Sequence, residues 1–180
     1  MAEHVYDSSD SCTGKNVAQE PLEYSIYSLL KKYQITITTA ESATGGMIAS
    51  TLINVPGISE FFTEGYVTYS NEAKVKMIHV APETIDTYGV VSSETAADMA
   101  SSAAKTAGTM AAVSVTGVAG PDGGTKERPV GLVFIGCYLN GKTVTERHLF
   151  SGNRMDVRKS ATESALLLLK KCIEKEYNGD

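Results

Sequence analysis

Through residue 20 large apolar side chains are few and Ser, Asp, Gly, Asn and Gln prevail, a composition that predicts a flexible tail over residues 1–20. The pattern changes at Pro21. Leu22, Ile26, Leu29, Leu30 and Tyr33 recur at helical spacing behind a proline suited to a first turn. The β-branched run ITITT, residues 35–39, predicts a strand. TGGMIASTLI, residues 44–53, predicts a helix with Met47, Ile48, Leu52 and Ile53 inward, stopped by NVPGIS. FFTEGYVTYS, residues 61–70, predicts a second strand, and NEAKVKMI, residues 71–78, a helix capped by Asn71. Pro82 opens a short helix that ends near Gly89. Residues 93–108 predict a helix with Ser93 as N-cap and Gly108 as its stop.

The small and β-branched residues of AAVSVTG, 111–117, predict a central strand covered closely on both faces. A long turn, VAGPDGGTKERP, follows. VGLVFIGCYL and KTVTERHLF, joined by Asn140-Gly141, then carry the strongest short hairpin signal in the chain. A terminal helix begins near Gly152 or Asn153. Strands that alternate with helices predict an α/β fold, and the hairpin makes the sheet mixed. The expectation is one three-layer α/β/α domain over residues 21–177.

Composition changes this picture little. The chain has 180 residues, 42% hydrophobic and 21% charged, enough for one substantial core. A net charge of −5 disfavours a nucleic-acid partner that binds a broad basic surface. No apolar run reaches the roughly 20 residues of a membrane span, and the acidic start lacks the pattern of a signal peptide. Cys12, Cys137 and Cys172 form no CxxC pair or disulfide framework, which points to a reducing, cytoplasmic setting. His4, His79 and His148 stand apart, so neither a metal nor a cofactor is expected. For assembly there is only the general expectation of a homo-oligomer with closed symmetry.

Four stretches carry candidate chemistry. TAESATGG, residues 39–46, places Ser42 and Thr44 before two glycines where a strand runs out. Either hydroxyl suits a helix cap. Ser42 also suits a nucleophile, with an oxyanion hole from nearby backbone amides and with Gly45 and Gly46 leaving the backbone approachable. In YVTYSNEAK, Tyr69 ends a strand and Lys74 follows about one helical turn later. Lys74 is either a solvated helix residue or a desolvated base for a serine. VTGVAGPDGG offers Thr116, Gly117 and Gly120, in a plain turn or in a ligand-binding loop. It matches neither a dinucleotide fingerprint nor a Walker A loop. Arg154 and Arg158 lie four apart at a helix start, as a solvated basic face or as partners for phosphate or carboxylate.

Taken in order, TAESATGG, VPGISEFFTEGYVTYSNEAK, GVVSSETAADMA, VTGVAGPDGGTKERPVGLV and SGNRMDVR resemble the nicotinamide-nucleotide amidase family, the C-terminal domain of CinA. The resemblance spans Leu22 to Ile173. It implies a metal-free Ser-Lys amidohydrolase that converts nicotinamide mononucleotide to nicotinic acid mononucleotide and ammonia. By position it implies Ser42 as nucleophile and Lys74 as its base, with Tyr69 assisting the proton relay or orienting the lysine. Thr44, Gly45, Gly46, Thr116, Gly117 and Gly120 would line the substrate site, with Arg154 on phosphate or carboxylate. The family usually has cysteine at Ala43 and often lysine at Arg128, and the second departure bears on substrate preference. Glu41 is left with two roles, orienting Lys74 or binding a neighbouring loop. The rival expectation is a nucleotide-sensing domain of the same fold that binds without turnover.

Overall fold

A computed structural model of the chain describes residues 20–179. All of the tail expected over residues 1–20 except Glu20 lies outside the described residues. Helix α1 covers Leu22–Tyr33. Gln34 then turns left-handed and the Ile35 amide closes back on Leu30. Ile35 thus belongs to the helix stop, which is why strand β1 runs over Ile37–Glu41 rather than 35–39. Helix α2, Met47–Leu52, buries Ile48 and Leu52. It ends too soon to turn Ile53 inward, and that side chain is 60% exposed, against expectation.

The expected strand over residues 61–70 is mostly not one. Residues Ile58–Glu60 make a 3₁₀ turn, Phe62 forms a lone bridge to Ile37, and only Tyr66–Val67 pair as β2. Its β-prone side chains match a strand locally, but the chain bends away after two ladder residues to enter helix α3, Asn71–Ile78. Helix α4 is Pro82–Tyr88, and α5 is Ser93–Ala107. Two caps fall one residue early. Ser70, not Asn71, caps α3, accepting from the Ala73 amide at 3.1 Å, and Ser92, not Ser93, caps α5, accepting from Thr95 at 3.1 Å. In each case two adjacent residues are good caps, and sequence cannot choose between them.

Strand β3 is Ala111–Gly117, and the hairpin is β4, Leu132–Leu139, with β5, Lys142–Leu149. Helix α6, Arg154–Asn178, starts with a capping box between Asn153 and Asp156. The sheet order is β2-β1-β3-β4-β5. β2, β1 and β3 are parallel, and β4 and β5 are antiparallel additions. The sheet is therefore mixed, with a helical layer on each face, as expected.

Strand β3 divides two cores by its alternation. Val113 and Val115 join Ile26, Leu30, Ile48, Leu166 and Leu169 under α1, α2 and α6. Ala112 joins Met99, Ala103, Ile78 and Ile85 under α3, α4 and α5. The alanine face of α5 comes close enough for Ser114 Oγ on β3 to donate to the Ala96 carbonyl at 2.6 Å. Among the described residues no helix is long and apolar enough to cross a membrane.

Candidate active site

The parallel strands β1, β2 and β3 end on the same edge of the sheet, where ligands of open α/β folds commonly bind. Ser42 directly follows β1, Lys74 lies on α3 beyond the end of β2, and Thr116 and Gly117 close β3. They meet in a cavity of about 240 Å³ lined by Ser42, Ala43, Tyr69, Asn71, Lys74, Val90, Val91, Thr116, Gly117, Ala119 and Arg154.

The floor of this cavity is polar, buried and nearly fully paired. The Lys74 side chain is wholly buried. Its Nζ donates to the Thr68 carbonyl at 2.8 Å, to Ser42 Oγ at 3.2 Å and, more weakly, to the Ser70 carbonyl at 3.5 Å. Burial pushes its pKa down from 10.5 to about 8, against a weaker pull upward from Glu72. A neutral amine keeps two N–H bonds, and two carbonyls are there to take them. That leaves its lone pair for the Ser42 hydroxyl. The pair thus has the geometry of a serine facing a base.

Glu41 is fully buried and settles the choice left open for it. Its Oε2 accepts from the amides of Gly46 at 2.9 Å and Ile48 at 3.1 Å, and Oε1 from Ala49 at 2.9 Å. The carboxylate caps α2 and shapes the Ser42 loop, and no bond runs to Lys74. This corrects one expectation, since neither Ser42 nor Thr44 caps the helix. The Gly46, Ile48 and Ala49 amides are occupied by the carboxylate, so an oxyanion hole needs other nearby amides. Gly45 and Gly46 hold φ of +59° and +94°, a backbone that glycine adopts without strain. They shape the turn behind Ser42 and do not line the cavity. Thr44 is buried behind it too, and its hydroxyl has no partner among the described residues.

The rim is different. Tyr69 is 63% exposed, and its hydroxyl accepts from Arg154 Nη2 at 3.1 Å. It makes no bond to Lys74 or Ser42 in this structure. The orienting role expected of Tyr69 falls instead to the carbonyls of Thr68 and Ser70. Arg154 Nη1 donates to the Gly120 carbonyl at 2.7 Å, tying the 118–131 loop to α6. Gly120 contributes through that carbonyl and does not line the cavity. Arg154 and Ala119 also border a second depression of about 590 Å³, with Pro121, Val130, Met155 and Arg158.

Thr116 is buried, and its hydroxyl donates to the Val90 carbonyl at 2.6 Å, so it braces the wall. Arg128 stays outside the cavity and donates to the Tyr88 carbonyl at 3.0 Å, which makes it an anchor of the loop. A groove of about 450 Å³ between α3 and α4 is roomier than the cavity, but neither Ser42 nor Lys74 lines it. Among the described residues no three His, Cys, Asp or Glu side chains cluster as metal ligands.

Sequence reasoning missed Asn71, Val90, Val91 and Ala119 as lining residues, and it missed Arg158 as a partner of the Ser42 loop. Val90 and Val91 arrive from the turn between α4 and α5, which no local signal ties to Ser42. For Arg158 the only signal was its spacing of four from Arg154.

A family model described as the CinA C-terminal domain matches residues 19–173. A CinA-like protein from Kosmotoga olearia is 49% identical over 157 residues, covering 87% of this chain and 38% of that protein. The chain thus spans well under half the length of that relative. A crystal structure of a competence or damage-inducible protein from Enterobacter asburiae superposes with a TM-score of 0.81 at 34% identity, covering 84% of this chain and 96% of the other. One of a competence-damaged protein (CinA) superfamily protein from Escherichia coli does so with a TM-score of 0.81 at 31% identity, covering 89% and 94%.

Proposed function

The chain belongs to the CinA C-terminal domain family, and from that premise we propose that it is a serine amidohydrolase that deamidates nicotinamide mononucleotide. The observation that carries this reading is the buried Lys74 amine, held by two carbonyls and set 3.2 Å from Ser42 Oγ.

In this reading Ser42 Oγ attacks the carboxamide carbon as its proton passes to Lys74 Nζ. The carbonyl π bond opens to an oxyanion. Lys74 then returns the proton to the departing nitrogen, the C–N bond breaks and ammonia leaves an ester on Ser42. Water attacks the ester carbon, gives a proton to Lys74, and the carboxylic acid departs as Ser42 recovers its proton. The small cavity suits the carboxamide ring. The guanidinium of Arg154, shared with the larger depression, suits the phosphate beyond the ribose.

The test is ammonia release from nicotinamide mononucleotide in a coupled assay, with mass spectrometry of the quenched enzyme. The expected result is turnover that Ser42→Ala abolishes, with the acyl adduct on Ser42. Full activity in Ser42→Ala, or an adduct elsewhere, overturns the assignment. Tight binding of the nucleotide without ammonia release supports a sensing domain instead.

A further inference from the structure

We propose that Arg158 is a positioning residue for the Ser42 loop: it fixes the Thr44 N–H directly and, through the Gly45 turn, the Ala43 N–H, so that these two amides receive the negative charge formed on the substrate oxygen. This rests on the amidohydrolase reading and deepens it.

Arg158 lies one helical turn beyond Arg154 on α6, and the Asn153–Asp156 capping box fixes the start of that helix. Its Nε donates to the Ala43 carbonyl at 3.1 Å and its Nη2 to the Thr44 carbonyl at 2.7 Å. Two consecutive carbonyls therefore sit in one planar fork, a grip that a lysine ammonium cannot copy. These donors are directed at the protein's own backbone, unlike the anion contact that the spacing of the two arginines first suggested.

The consequence follows from peptide geometry. In a trans peptide the N–H points opposite to the C=O. With the Ala43 carbonyl held toward Arg158, the Thr44 N–H is turned the other way. The Thr44 carbonyl, held in the same fork, shares its peptide with the Gly45 N–H, which donates to the Ser42 carbonyl at 3.2 Å and so turns the Ala43 N–H away from that bond. Among the described residues neither of these two amides has an acceptor. The Ala43 amide adjoins Ser42 and the Thr44 amide is the next one on, and Ser42 and Ala43 line the cavity. Consecutive unpaired amides beside a nucleophile are the usual materials of an oxyanion hole.

The loop is thus held from two sides by opposite charges. Glu41 collects N–H groups at its far end, and Arg158 collects C=O groups beside the nucleophile. The fit leaves little slack, since a Cβ on Gly45 would stand 3.3 Å from Arg158 Nη2. Glu41 takes the amides of Gly46, Ile48 and Ala49, so the Ala43 and Thr44 amides are the unpaired donors nearest Ser42, and Arg158 sets where they point, the second directly and the first through Gly45.

The experiment compares the unaltered chain with Arg158→Ala and Arg158→Lys, with melting temperatures recorded for all three. Steady-state turnover of nicotinamide mononucleotide is one readout. The other, independent of the natural substrate, is the rate of Ser42 acylation by 4-nitrophenyl acetate, followed by mass spectrometry. For Arg158→Ala the expected result is a fall of about 10- to 100-fold in kcat and in acylation rate, with KM changed only a few-fold. The pH at half-maximal rate stays that of the unaltered chain, because Lys74 is untouched. Added guanidinium ion restores part of the loss in Arg158→Ala, and Arg158→Lys recovers less than the rescued alanine variant.

A kcat and an acylation rate equal to those of the unaltered chain overturn the proposal. So does a loss confined to KM, which marks a ligand contact, or a loss that guanidinium leaves unchanged. If the unaltered chain releases no ammonia from the nucleotide, the amidohydrolase reading fails alone, and the acylation rates still decide the role of Arg158. If Ser42 in the unaltered chain is never acylated, both fail.

Discussion

The floor and the rim of the cavity are built from the same kinds of residue and behave differently. On the floor Lys74 and Thr116 are buried, with Glu41 buried behind them, and each hydrogen-bonds to the protein's own backbone. On the rim, Tyr69 and Arg154 face solvent and bond chiefly to each other and to the Gly120 carbonyl. A buried polar group is costly unless satisfied, so the floor has essentially one arrangement. An exposed pair is cheap to break and can exchange protein partners for a ligand. In the proposed reading this difference gives the reaction to the floor and recognition of the rest of the substrate to the rim.

The sharpest way to break this division is at Lys74. Lys74→Ala is expected to lower kcat by about 10³-fold or more, the upper part of the range for a general base. In the intact protein the rate should climb with pH through about 8 and level above it, since the base must be neutral. Stability gives a second reading of the same group. Its folded pKa lies below the unfolded value, so between about 8 and 10.5 the unfolded chain binds the extra proton. Stability relative to Lys74→Met should therefore rise with pH across that window and be flat below it. A rate independent of pH from 7 to 9 would remove Lys74 as the base.

Glu41→Gln tests whether the floor is a scaffold. A carboxamide presents N–H groups to at least one of the amides that Glu41 now satisfies. The expected cost is about 3 kcal/mol, a melting temperature lower by about 6–12 °C, with kcat falling alongside. Unchanged stability in thermal melts would mean that the α2 amides do not need the carboxylate. The rim should respond least. Arg154→Ala is expected to raise KM about tenfold with a smaller change in kcat, and Tyr69→Phe to change either by a few-fold at most. A large kcat loss in Tyr69→Phe would return the tyrosine to the proton relay.

The elements were legible because each has a local cause: helical spacing in Leu22–Tyr33, small residues in Ala111–Gly117, and Asn140-Gly141 between the hairpin strands. Their edges were less so. Ser92 and Ser93 are equal candidates for one cap, and ITITT does not reveal that its first isoleucine closes the preceding helix. The strand expected at residues 61–70 shrank to two because pairing depends on a partner edge that local propensity does not encode.

The site divides in the same way. Sequence by itself determined that a serine follows a strand end, that two glycines permit a tight turn after it, and that a lysine lies one turn into a nearby helix. Only the tertiary structure decided which of these groups meet and which partners they take. It buried Lys74 against Ser42, turned the carboxylate of Glu41 to the α2 amides, and brought Arg158 from more than a hundred residues away onto the carbonyls of Ala43 and Thr44. The reason is physical. Residue type and spacing fix what a side chain can donate or accept, whereas burial and partner choice are set by packing between segments distant in the chain.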